Sequence, residues 1–152
     1  MLSFAGMAFL VAVDLSDPHA PVVVRGAAEW AVLARTTLDV AYVENASVDS
    51  WFSDDAVRRV VEAEHADRRQ QDGERLAALL SLVPDAARGT PKVLEGDPVE
   101  ALVDASSSYG ALVVATHGRT GLPRFWLGSV AEQVVRGAHC PVIVLRTASP
   151  GP

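Results

Sequence analysis

The chain has one cysteine, Cys140, in 152 residues. A lone thiol closes no intramolecular disulfide, so the fold must stand on its core, as proteins of reducing compartments do. Cationic excess is missing as well: 13 Lys and Arg face 19 Asp and Glu, a net charge of -6. A general nucleic-acid binder needs a basic face to neutralise phosphates, and this balance argues against one. No apolar run approaches the roughly 20 residues of a membrane-crossing helix. Met1 to Leu10 is apolar but has no cationic start and is soon followed by Asp14 and Asp17. It reads as the lead into a strand, not as a signal peptide. The expectation is a cytoplasmic protein without membrane or nucleic-acid partners. His19, His65 and His139 lack metal-ligand spacing, and no acid, base and nucleophile stand in a triad-like pattern. The Gly-x4-Gly-Lys-Ser/Thr phosphate loop is also absent. No catalytic residue and no metal ligand is assigned.

What is present is a chain 49% hydrophobic and 21% charged, enough for one domain spanning 1–152, with 1–6 and 147–152 as fraying ends. Ala8 to Val13 has the continuous apolar character of a buried parallel strand. Val22 to Arg35 reads as an alanine-rich helix with Pro21 at its start, and Leu38 to Val43 as a second strand, in which Asp39 is out of place. A long helix is predicted over Asp54 to Leu82, with Gly73 as a weak point and the charged stretch Arg58 to Arg69 as a solvated face. Pro84 ends it, and Pro91 to Leu94 supplies a short third strand. Asp97 at N-cap, Pro98 at N1 and Glu100 at N3 mark a third helix, which Gly110 closes.

The final third carries the chemistry. The apolar strand Ala111 to Val114 runs into Ala115-Thr116-His117-Gly118, and Gly128-Ser129 then opens a helix that ends at Gly137 before a last strand, Val142 to Leu145. Ser129 with Glu132 three residues on reads as a capping box. A strand, a glycine turn and a helix N-terminus together collect free backbone N–H groups and partial positive charge, the requirements of a phosphate site. Five strands alternating with four helices predict a doubly wound α/β domain, with a mainly parallel sheet and helices on both faces. Ligands of such folds lie beyond the carboxyl ends of the strands, where Asp14 and the Ala115–Gly118 turn both fall.

Bland readings compete at each position. Ser129 could serve only its helix, Asp14 could cap the first helix in competition with Asp17, and Gly118 and Gly121 could serve only a tight loop. His117 reads best as a loop anchor, and Cys140 as a packed residue. Phe125 and Trp126 stand beside the cradle, against a nucleotide or a second subunit.

Ala115-Thr116-His117-Gly118-Arg119-Thr120-Gly121, Leu127-Gly128-Ser129-Val130-Ala131-Glu132 and Cys140-Pro141-Val142 closely resemble the universal stress protein family, with Asp14 and Glu95-Gly96-Asp97-Pro98 in support. The resemblance implies the strand order 3-2-1-4-5. Nucleotide-binding members carry Gly-x2-Gly-x9-Gly-Ser/Thr, and this chain departs from that pattern at its first position, Ala115. The implied adenine or ribose contacts are Asp14, Val40 and Ala41. The implied phosphate contacts are Ala115, Gly118, Gly128, Ser129 and Val130, with Arg119 and Arg124 as accessory charges. ATP is the implied ligand, with ADP or AMP as alternatives and Mg2+ or another divalent ion held through the phosphates. The implied function is that of an ATP-binding regulatory stress-response protein with little turnover. The alternatives are a dimerisation module of the same fold without nucleotide and a slow ATPase or autophosphorylating protein. A homodimer through the strand Val142 to Leu145 is the implied assembly.

Overall fold

The computed structural model describes residues 6–44, 54–116 and 128–147. Five strands, β1 (Phe9–Ala12), β2 (Leu38–Glu44), β3 (Arg88–Glu95), β4 (Ala111–Thr116) and β5 (Val142–Arg146), form one sheet. Its order is β3-β2-β1-β4-β5, with all four pairings parallel. Helices α1 (Ala20–Leu33), α2 (Asp55–Leu80), α3 (Pro98–Ser106) and α4 (Ser129–Gly137) connect the strands.

The sheet is covered on both faces, which is why β1 is apolar throughout and β4 as far as Ala115. Val11, Leu38, Val40 and Val113 pack toward α1 and α2 with Val24, Ala27, Ala31 and Leu76. Leu10, Ala41, Leu112 and Val114 pack on the other side with Leu102, Ala131 and Val134 of α3 and α4. The small residues of α1 permit a close approach to the sheet: a Cβ on Gly26 would lie 3.1 Å from Leu145 Cδ1.

Asp39 is accommodated at the amino end of the sheet by a built pocket. It is 9% exposed, and its Oδ1 accepts from the Thr90 backbone N–H at 2.7 Å and from Thr90 Oγ1 at 3.3 Å. Its Oδ2 accepts from the Tyr109 hydroxyl at 2.7 Å. The carboxylate thereby ties β2 to β3 and to the loop before β4. The β2–β3 register slips between Leu38 and Val40, placing Gly89 against Asp39. A Cβ on Gly89 would collide with Asp39 Oδ1 and sit 2.7 Å from the Leu38 carbonyl oxygen.

At the carboxyl end, Glu44 and Glu95 are direct neighbours across β2 and β3. Arg69 of α2 reaches both carboxylates, at 3.1 and 2.7 Å, and offsets their repulsion. The same pairing lengthens β3, expected only over Pro91 to Leu94, to Arg88–Glu95.

Several local expectations are corrected. Helix α2 runs unbroken through Gly73, whose missing side chain faces open space. Asp97 caps α3 as expected, accepting from Val99 and Glu100 N–H at 3.0 and 3.1 Å. That helix ends at Ser106, however, because Gly110 is engaged in the sheet, where its N–H donates to the Ala8 carbonyl. Thr147 does not fray: its N–H and Oγ1 both donate to the Thr116 carbonyl, at 3.2 and 2.9 Å. The N-cap of α4 is Gly128, not Ser129, and no side chain of the described residues caps it. Glu132 forms no capping box, since its carboxylate pairs with Arg136 one turn on, at 3.0 Å.

Candidate functional site

The strands reverse direction of progression between β1 and β4, and their carboxyl ends open there into a cleft of about 670 Å³. Val13 and Asp14 follow β1 into it, Tyr42 and Val43 come from β2, and Ala115 and Thr116 from β4. The first turns of three helices complete the wall: Ala20 and Val23 of α1, Pro98 and Leu102 of α3, and Gly128 through Ala131 at α4. A parallel sheet with crossover helices sends helix N-termini to this end by construction.

Those N-termini differ. Helix α3 is closed by its own Asp97. Helix α4 begins at an uncapped glycine, and its first main-chain hydrogen bond to the cap residue is Glu132 N–H to the Gly128 carbonyl. The N–H groups of Ser129, Val130 and Ala131 therefore lack intrahelical acceptors, as the first groups of any helix do. All three residues line the cleft. Gly128 has φ -54, a value open to any residue, and no atom of the described residues lies within 4 Å of where its Cβ would stand. Glycine is thus not required by the backbone here; its effect is to leave space in front of the open donors.

Asp14 does not cap α1. Its Oδ1 accepts from the N–H and Oγ of Ser16, at 2.9 and 2.6 Å, closing a local turn. Asp17 accepts from the N–H and Nδ1 of His19, and His19 itself occupies the N-cap of α1 without a side-chain cap bond. The turn leaves Asp14 exposed on the rim of the cleft.

Ala115 lies within β4, opposite Leu145. Among the described residues the only non-glycine with positive φ is Arg35. The alanine methyl therefore imposes no backbone strain, and it packs toward the α1 and α2 core.

Of the residues assigned from sequence, Asp14, Ala115, Gly128, Ser129 and Val130 meet in this one cleft. Val40 and Ala41 do not. Both are fully buried within β2, and the Ala41 carbonyl already accepts from the Val13 N–H at 2.9 Å. β2 runs on to Glu44, so the residues delivered to the cleft are Tyr42 and Val43. Gly118, Arg119 and Arg124 lie outside the described residues. Thr116 and Tyr42 went unassigned, although counting strand residues to the carboxyl end would have found them. The Tyr42 phenol is pushed above its ordinary pKa by burial first, and then by the negative charges of Asp72, Asp14 and Glu44. It stays protonated at neutral pH. No group of three His, Cys, Asp or Glu side chains among the described residues is arranged to hold a metal ion.

Comparison with known proteins agrees with this fold. Over 143 residues the chain is 27% identical to a universal stress protein of Mycobacterium tuberculosis, covering 93% of this chain and 48% of that one. The chain thus spans about half the length of that relative. A universal stress protein of Methanocaldococcus jannaschii is 46% identical over 57 residues, 36% of this chain and 34% of the relative. Among solved structures, the universal stress protein of Archaeoglobus fulgidus in complex with dAMP superposes with a TM-score of 0.59 at 26% identity, covering 92% of this chain and 98% of that one. The protein of Lactobacillus plantarum superposes with a TM-score of 0.60 at 25% identity, over 92% and 97% of the two chains. Residues 7–146 match the model of the universal stress protein family, and the chain belongs to that family.

Proposed function

We propose that this chain is a regulatory protein that binds an adenine nucleotide, ATP foremost, and changes state with it while turning it over little. The observation that carries the reading is the uncapped start of α4. Three N–H groups without an acceptor among the described residues stand with the positive end of the helix dipole at a cleft, behind a glycine whose missing side chain leaves room for phosphate oxygens. Asp14, on the rim after β1, accepts from the sugar or base. The related Archaeoglobus protein, solved with dAMP, supports an adenine nucleotide as the ligand class. Mg2+ would accompany ATP through the phosphates, since a hard cation takes phosphate oxygens readily and needs few protein ligands. The chain has no phosphate-loop lysine to stabilise charge during phosphoryl transfer, which favours binding over hydrolysis.

Titration calorimetry with Mg2+ and ATP tests this on protein stripped of nucleotide. Wild type is expected to bind at micromolar levels, and Gly128→Val to lose about a hundredfold or more, because the new side chain enters the phosphate space. Absence of heat with wild type would overturn the reading in favour of an interaction module. Ala115, the feature that favoured that alternative, sits in a strand with no left-handed φ.

We also propose a homodimer through β5. It is an edge strand, and its apolar residues Val142 to Leu145 remain only half-buried in the monomer. Such an edge calls for a partner or a cover. Sedimentation at micromolar concentration should give a dimer; a monomer there would end the idea.

A further inference from the structure

We propose that the Tyr42 hydroxyl is a direct ligand contact that reads the sugar–base end of the nucleotide; this rests on the nucleotide reading above. The sheet order fixes the layout of the cleft. The ends of β2, β1 and β4 follow one another, so Tyr42 lies two strand spacings, about 10 Å, from the end of β4. That distance matches the reach from a phosphate to the base of a nucleotide. With phosphates at α4, the β2 end receives the other half of the molecule.

The chemistry of that end agrees. Asp14 and Asp17 stand on its wall, and Asp72 and Glu44 add negative charge around the phenol, offset in part by Arg68 and by the pairing of Glu44 with Arg69. Carboxylates outnumber cations there, which suits the donating hydroxyls of a sugar and the amino group of a base better than phosphates. Tyr42 is half-buried, and its hydroxyl has no hydrogen-bond partner among the described residues. Tyr109 offers the contrast: its hydroxyl is committed to Asp39 at 2.7 Å. A phenol held protonated in a cleft wall, with no hydrogen bond to the described residues, can donate to a ring nitrogen or sugar oxygen and accept in return.

The chain has two tyrosines, which makes the test internally controlled. In protein labelled with ring-13C tyrosine, saturation with Mg2+ and ATP should move the Tyr42 signals and leave those of Tyr109 in place. Tyr42→Phe, which removes one oxygen and keeps the ring, should weaken ATP binding by about threefold to tenfold. An unmoved Tyr42 signal in ATP-saturated wild type, or unchanged affinity in Tyr42→Phe while Gly128→Val still abolishes binding, would overturn this assignment and leave the phosphate cradle standing. No binding by wild type would overturn both.

Discussion

The two ends of the sheet each hold polar groups, and they treat them oppositely. At the amino end, Asp39 is nearly buried and takes three donors from Thr90 and Tyr109. At the carboxyl end, α4 starts without a side-chain cap, and the Tyr42 hydroxyl makes no bond among the described residues. Buried polar groups left unpaired are costly, so a carboxylate in the core must be closed by its own chain. Donors left open at a solvent-filled cleft cost little until a ligand takes them. Closure marks the structural site, and openness marks the candidate functional one.

The contrast can be broken most forcefully at Gly89. Gly89→Ala puts a methyl into Asp39 and the Leu38 carbonyl, and should cost about 3 kcal/mol or more of stability, read from the urea midpoint. If the variant unfolds like wild type, the amino-end pocket is looser than described. Gly128→Val is the matching change at the other end. With no described residue within 4 Å and an ordinary φ, it should shift Tm by less than about 4 °C while removing ATP binding. A large loss of stability there would mean that the open end is structural after all.

Smaller effects sharpen the comparison. Tyr109→Phe leaves one Asp39 oxygen without its donor and should cost about 1–3 kcal/mol, with ATP affinity unchanged. The tyrosines also set an alkaline limit. Both phenols titrate higher in the folded state than the ordinary value of 10.0, Tyr109 through burial and its bond to Asp39, and Tyr42 through burial and nearby acids. Above pH 10 the unfolded chain loses tyrosine protons that the folded chain keeps. Folding then binds more protons, so the stability from this source is complete below pH 10 and declines as pH rises further. Thermal melts from pH 8.5 to 11 should show that decline, and Tyr109→Phe should flatten it more than Tyr42→Phe.

Much of this was legible because it is local. Continuous apolar strands alternating with helices specify a parallel sheet covered on both faces, and Asp97-Pro98 announces α3 through bonds that span three residues. The glycine-serine pair that opens α4 does line the cleft, although Gly128 and not Ser129 holds the cap position. Ser129 and Glu132 have capping-box spacing, but Glu132 is drawn to Arg136, and Gly128 takes the cap position. Asp39 looked wrong for a strand, since its partners Thr90 and Tyr109 lie 51 and 70 residues away.

By itself, then, the sequence determined the order and type of the elements and the glycine-serine start of α4, because helix and strand periodicity and glycine positions act over a few residues. Only the tertiary structure decided which residues reach the cleft. β2 extends to Glu44 because β3 runs beside it to Glu95 and Arg69 bridges the two carboxylates, and Tyr42 and Val43 reach the cleft while Val40 and Ala41 stay buried between the layers. Strand ends and open donors are set by pairing between distant segments, and such pairing leaves no periodic trace in the chain.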